Sequence, residues 1–189
     1  MTHKDIHYQF DKEKCIAVML FVLNKLRQVD IHKLFKIIYF ADIEHLLRTG
    51  KPITGDWYVA MKDGPVPSNI YDIIKVLRKD VDYRDPDLEK KFKITGRFVV
   101  SPREEPDMDE LTKVNIECLS RSIEENKGLS YDELVKKSHD KAYDKADRNN
   151  KISFADMVRV YGANEELLKY MVTTADNQKM PSRINLVMG

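Results

Sequence analysis

Apolar residues fill Cys15 to Leu23 (CIAVMLFVL) almost without interruption. From about Lys12 to Gln28 no polar face emerges, which in a water-soluble chain predicts a helix enclosed on most sides. The next stretch, Ile31 to Arg48, places Leu34, Ile37, Ile38 and Ala41 on one helical stripe, and Gly50 followed by Pro52 supplies a stop. His45 lies three helical turns beyond Leu34 and so shares the inward face. From Trp57 to Met61 the pattern predicts a short strand, with Trp57, Val59 and Met61 on one side and Tyr58 and Ala60 on the other. Gly64-Pro65-Val66-Pro67 reads as a rigid turn: glycine permits unusual backbone angles, Pro65 fixes φ, and Pro67 extends the residue before it. Ser68 then caps a helix whose Ile70, Ile73, Ile74 and Leu77 point inward, with Asn69, Asp72, Lys75 and Arg78 outside.

Further along, Asp80 to Asp87 reads as a polar loop, and Lys91 to Val100 as a hairpin turning at Thr95-Gly96. Joined to the earlier strand, this hairpin predicts a small three-stranded sheet. Ser101 to Glu110, with two prolines and five acids, reads as a linker or exposed loop. Beyond it Asp109 caps a helix to about Asn126 whose apolar side includes Leu111, Val114, Cys118 and Ile123. Ser130 with Glu133 forms a capping box, with Leu129 placed to staple to Leu134, and Ser153 opens a similar helix. A last helix, Glu165 to Ala175, buries Leu167, Leu168, Met171 and Val172. The fold expected is mainly α (α+β): one compact helical domain over residues 1–175 with a small antiparallel sheet or hairpin packed against the helices. Residues 13–100 and 109–175 form its two halves, and 176–189 a mobile tail whose Ile184, Leu186 and Val187 are able to dock. No internal repeat is evident.

The chain has 189 residues, 42% apolar and 33% charged, with a formal net charge of +1. Such a length buries a core without disulfides or metals. Near-neutral charge removes the footprint of a general nucleic-acid binder. Lys90, Lys91, Lys93 and Arg97 are the one candidate basic patch, with a solvated hairpin as the plainer reading. Cys15 and Cys118 sit inside helical patterns without partners at metal-ligand spacing, so both are expected as buried free thiols. No basic stretch followed by an apolar one marks an export signal, and the longest apolar run is shorter than the ~20 residues that span a bilayer. A cytoplasmic protein with no membrane partner is expected.

Little in the sequence carries chemistry. Neither GxGxxG nor GxxxxGK[ST] occurs. Asp42 and His45, three apart on one helix, and His139 elsewhere are the only residues from which a metal site for a hydrolase can be assembled; the plainer reading has Asp42 orient His45 in the interior. Ser138-His139-Asp140 contains the letters of a catalytic triad, but consecutive helical side chains diverge by about 100° and do not relay protons to one another. His139 instead suits packing or the C-terminal capping of a helix. The segment from Gly64 to Tyr71, with Trp57 and Tyr58 nearby, serves either as architecture or as a recognition surface, since rigid aromatics are favoured interface anchors.

In order along the chain stand Tyr39, Ala41-Asp42, His45-Leu46, Gly50, Ile53-Thr54-Gly55-Asp56, Gly64-Pro65-Val66-Pro67 and Tyr71-Asp72, followed by Leu129-Ser130, Glu133-Leu134 and Ser138-His139. This ordered set resembles the Panacea domain, the SocA-like antitoxin family of prokaryotes and phages, over roughly Glu13 to Asp147. Tyr143 stands where the family often has tryptophan. The resemblance implies a non-enzymatic protein without cofactor or metal that neutralises a cognate toxin by direct contact. It also implies, from one described member, delivery of the toxin to a AAA+ protease. Trp57, Tyr58, Gly64, Pro65, Val66, Pro67 and Tyr71 are the expected partner-binding residues; Asp42, His45, Asp56 and His139 the polar scaffold behind them. The alternatives are a regulator that contacts operator DNA through helix pairs such as Ser130–His139 and Ser153–Tyr161, and a metal-assisted hydrolase built on Asp42, His45 and His139. The oligomeric state is left open.

Overall fold

A computed structural model describes residues 6–179. Helix α1 (Lys12–Leu26), N-capped by Asp11, buries Cys15 through Leu23 without a break, as a run apolar on all sides requires. A two-residue strand, β1 (Val29–Asp30), leads into α2 (Ile31–Thr49). The Asp30 carboxylate caps α2, and Gly50 ends it in the left-handed conformation that its lack of a Cβ allows. The stop at Gly50 stands where the sequence put it; the cap at Asp30 is supplied by the structure.

Helix α2 is the axis of the molecule. On one side a hydrophobic cluster gathers α1, Leu34, Ile37, Ile38 and Ala41 of α2, and helix α3 (Ser68–Arg78). Helix α5 (Lys113–Asn126) completes it through Cys118, Leu119 and Ile123. On the other side Tyr39, Phe40, Ile43 and Leu46 join a second cluster with Tyr58, Leu134, Phe154, Met157, Leu168 and Met171. These last come from helices α6 (Tyr131–Ser138), α8 (Phe154–Val160) and α9 (Glu165–Lys179). A helix placed between two cores keeps little solvent face, so even its Lys36, Asp42 and His45 are buried.

Two small antiparallel sheets flank this axis. Strands β2 (Tyr58–Met61) and β3 (Gly64–Pro67) pair with Val59 opposite Val66 and Met61 opposite Gly64. The Gly64-Pro65-Val66-Pro67 motif is therefore a strand and not the predicted turn; the chain reverses at Lys62-Asp63. Proline lacks an N–H, so with prolines at alternate positions β3 can form a strand ladder along only one edge. In the second sheet β4 (Phe92–Thr95) and β5 (Val99–Pro102) form the expected hairpin around Gly96. Its third strand is β1, not the Trp57 to Met61 segment.

Other expectations shift by a residue or a partner. Pro86, read as part of a loop, occupies the first turn of helix α4 (Pro86–Lys91), where its missing N–H is not needed, and Asp85 caps that helix. Asp109 falls in a 3-10 turn (Met108–Glu110) while Thr112 caps α5, in a reciprocal box with Asn115. The Ser130–Glu133 box and the Ser153 cap form as read, and Leu129 and Leu134 share a cluster. A short helix, α7 (Lys141–Lys145), had no periodic signal at its length. It separates α6 from α8, so those two capped helices lack the short connecting turn of a helix-turn-helix. Helix α9 continues through 176–179, which were assigned to the tail; Ile184, Leu186 and Val187 lie outside the described residues. Among the described residues no helix is long and apolar enough to cross a membrane.

Candidate functional site

The β2–β3 hairpin is held at its tip by side chains from three helices. Lys36 of α2 is 0% exposed, and its ammonium group donates to the Pro65 carbonyl at 2.9 Å, on the edge of β3 that cannot pair with a strand. One turn earlier His32 Nε2 meets the Asp63 carbonyl at 3.0 Å; a carbonyl only accepts, so this nitrogen carries the hydrogen. Tyr131 of α6 lies against the His32 ring at 4.2 Å, with its hydroxyl beside the Asp63 carboxylate. Tyr143 of α7 donates to the Met61 carbonyl at 2.7 Å. Gly64 has φ +101°, and a β-carbon there would lie 2.5 Å from Ser138 Oγ and 2.7 Å from Lys36 Nζ. Glycine is thus required twice over, by backbone angle and by space. Lys36 escaped the sequence reading, although a cation within a stretch flanked by apolar residues on both sides was its signal. Burial pushes its pKa down to about 7, with Asp63 opposing weakly.

Behind the hairpin the expected polar scaffold is present with different pairings. Asp42 does not orient His45. Its carboxylate accepts from the Ile53 N–H and the Tyr58 hydroxyl, both at 2.7 Å, while desolvation raises its pKa to about 7. His45 Nδ1 donates to the Lys51 carbonyl at 2.6 Å, and Nε2 faces the Asn115 amide at 2.9 Å. Burial lowers its pKa, so the neutral ring fits a site that offers one acceptor and one donor. Asp56 performs the capping expected of Ser68: it accepts from the N–H groups of Asn69 and Ile70 at 3.0 Å, from the Asn69 amide and from its own neighbour Trp57. His139 is the C-cap of α6 and stacks on Tyr143 at 4.1 Å. Asp42, His45 and His139 thus have separate partners, and no group of three or more His, Cys, Asp or Glu among the described residues is placed to hold a metal ion. The hydrolase site drawn from the sequence does not assemble. Cys15 and Cys118 are buried free thiols.

The expected recognition residues divide. Tyr58 is 0% exposed, with its ring edge-on to Tyr39, and Gly64, Pro65 and Pro67 are buried, so none of these four presents a side chain to a partner. They face inward because β2 and β3 pack one side on α2, and only the alternate residues face out. Trp57 is half-buried beneath Lys151, whose ammonium lies 3.9 Å from the ring centroid, and lines a hollow of about 230 Å³ next to Lys145 and Phe154. Val66 and Tyr71 line a different, larger groove of about 430 Å³ with Phe35, Met61, Phe98 and Tyr131. Phe98 is 61% exposed and Tyr131 49%, an unusual outlay of aromatic surface in one place. Arg78 closes one end, its guanidinium over the Phe98 ring at 5.6 Å.

The candidate basic patch divides as well. Lys90 and Lys91 are paired with Asp87 and Glu104. Lys93 and Arg97 instead line a second groove of about 390 Å³ with Arg78, Lys79 and Arg103, against a single acid, Glu89. Arg78 borders both grooves. Chemically this face offers apolar anchoring and cations, with the carboxylates of Asp30 and Asp63 also on the apolar groove. Phe98 and Tyr131 were missed as exposed aromatics because Phe98 opens the apolar run to Val100, which hides that it sits at the hairpin turn, and Tyr131 stands among polar residues, where periodicity does not assign a face.

A family model described as antitoxin SocA-like, Panacea domain, matches residues 34–143. No curated protein and no solved structure matches the chain.

Proposed function

The chain belongs to the SocA-like antitoxin family that carries the Panacea domain, and from that membership, which supports an antitoxin role in general, we propose that it neutralises a cognate toxin by direct contact through the groove bordered by Val66, Tyr71, Phe98 and Tyr131. One observation carries the choice of surface. Within the matched segment, Lys36 and Tyr143 each donate to a backbone carbonyl of a single hairpin tip, Tyr131 lies beside its Asp63 carboxylate, and Ser138 packs against its glycine. Buried polar groups aimed at one small hairpin fix its position tightly, and a rigid apolar groove beside it suits partner binding because little side-chain entropy is lost on docking. The role is binding and not turnover.

The test is to coexpress each open reading frame adjacent to this gene with and without it, scoring growth and copurification. A toxic neighbour whose toxicity is relieved, and which copurifies with the wild-type chain but at least about tenfold less with Phe98→Ser or Val66→Asp, is the expected outcome. The reading fails if no neighbour is toxic, or if a toxic one neither binds nor is relieved.

A further inference from the structure

The two grooves that meet at Arg78 differ in character, and together they specify the chemistry of an occupant. Arg78 is half-buried; its Nε is shielded from solvent without a hydrogen-bond partner, and its side chain forms no ion pair among the described residues. Lys79 and Lys93 are exposed and likewise form no ion pair there, and they share the groove with Arg78, Arg97 and Arg103 against one acid, Glu89. Arg97 has one carboxylate, Asp80, at 3.3 Å, and the Arg103 guanidinium donates to the Glu89 carbonyl at 3.0 Å. Cations gathered around one groove repel one another. An arriving carboxylate relieves that repulsion and gives Arg78 an acceptor.

We propose that this face takes an acidic segment of the partner polypeptide, with one apolar or aromatic side chain seated between Val66 and Phe98 and its carboxylates on Arg78, Lys79 and Lys93. The proposal rests on the reading of this face as the partner-binding surface and adds the chemistry of what it binds. Charge complementarity selects the acid, and the apolar groove on the other side of Arg78 selects the anchor. Nucleic acid fits less well, because a phosphate track needs a stripe of cations, whereas Asp80 and Glu89 interrupt the cluster at its rim.

Fluorescence anisotropy on the full chain tests this with labelled peptides of about twelve residues. One alternates Asp and Glu with Phe and Leu, one carries Lys in place of the acids, one carries Ala in place of the apolar residues, and a single-stranded oligonucleotide of similar length is the fourth probe. The acidic, apolar peptide is expected to bind best. Raised salt should weaken it, and Lys79→Glu with Lys93→Glu, or Phe98→Ser, should weaken it at least about tenfold, while Lys169→Glu on α9 leaves it unchanged. Both lysines and Phe98 are exposed, so unchanged thermal melts should separate lost binding from lost folding. Equal binding of the acidic and basic peptides, tighter binding of the oligonucleotide, or indifference to the lysine reversals would overturn the proposal. If the double reversal still copurifies with and neutralises a toxin as well as the wild type does, the acidic-segment inference fails and the antitoxin reading stands. If no adjacent toxin is neutralised yet the peptide binds as described, the reverse holds.

Discussion

Lys36 is held far from its ordinary chemistry. It titrates near 10.5 in the unfolded chain and is held down to about 7 in the folded one. Between those values the unfolded state binds the extra proton, so this residue's contribution to stability is complete above the unfolded pKa and is lost as pH falls through about 7. Lys36→Met removes the titration but leaves the Pro65 carbonyl without its donor. Melting curves of the wild type and Lys36→Met should therefore converge or cross as pH is lowered from 10 to 7, with their difference in Tm changing by roughly 4 °C or more. A constant difference across that range would mean that the ammonium group is not buried as described. Asp56 provides a second test. Its carboxylate satisfies the free N–H groups at the start of α3 from a loop twelve residues upstream of Ser68, and Asp56→Ala should cost about 2–4 kcal/mol in denaturant unfolding. Ser68→Ala should cost far less. Capping by a residue next to the helix is legible from sequence, as Ser130 and Ser153 show. A cap delivered across space is not, because nothing in local spacing announces Asp56 as the donor's partner.

At the scale of elements, the hairpin of β2 and β3 depends on Gly64 in a way that the β4–β5 turn does not depend on Gly96. Gly96 also has positive φ, +62°, but a β-carbon there meets nothing within 4 Å. Gly96→Ala should therefore cost only about 1 kcal/mol of backbone strain, whereas Gly64→Ala must also displace Ser138 and Lys36 and should cost at least about 3 kcal/mol, with loss of partner binding. Comparable melts for the two variants would remove the hairpin seat from the account. Long elements were legible: α1, α2 and α3 follow from apolar spacing, and α2 ends at its predicted punctuation, Gly50. The Gly-Pro-Val-Pro motif was not, since its local signals are those of a turn. Its strand character arises from pairing with β2, from Gly64 beside Ser138, and from Lys36 on the opposite edge. Tertiary partners decided the conformation there, and a four-residue strand has too few alternations to reveal itself.

Across the whole molecule, the apolar distribution places α2 between two clusters, and this explains why so many polar residues of one helix are buried and matched. The mainly helical class with small antiparallel sheets was legible because helices dominate the periodic signal. The position of the recognition face was legible only in part: Val66 and Tyr71 belong to it, Trp57 lies in a separate hollow, and Phe98 and Tyr131 reach it from segments distant in sequence. A surface assembled from α2, β3, α3, the β4–β5 turn and α6 has no linear signature. The docking of a toxin proposed for the groove around Val66, Tyr71, Phe98 and Tyr131 is open to direct test. Hydrogen exchange of the protein alone and in complex with the toxin from the adjacent gene measures this directly. Slowed exchange in segments 61–71, 94–98 and 131–135 is the predicted result, and protection confined to the Trp57–Lys151 hollow or to α9, with those segments unchanged, would contradict it.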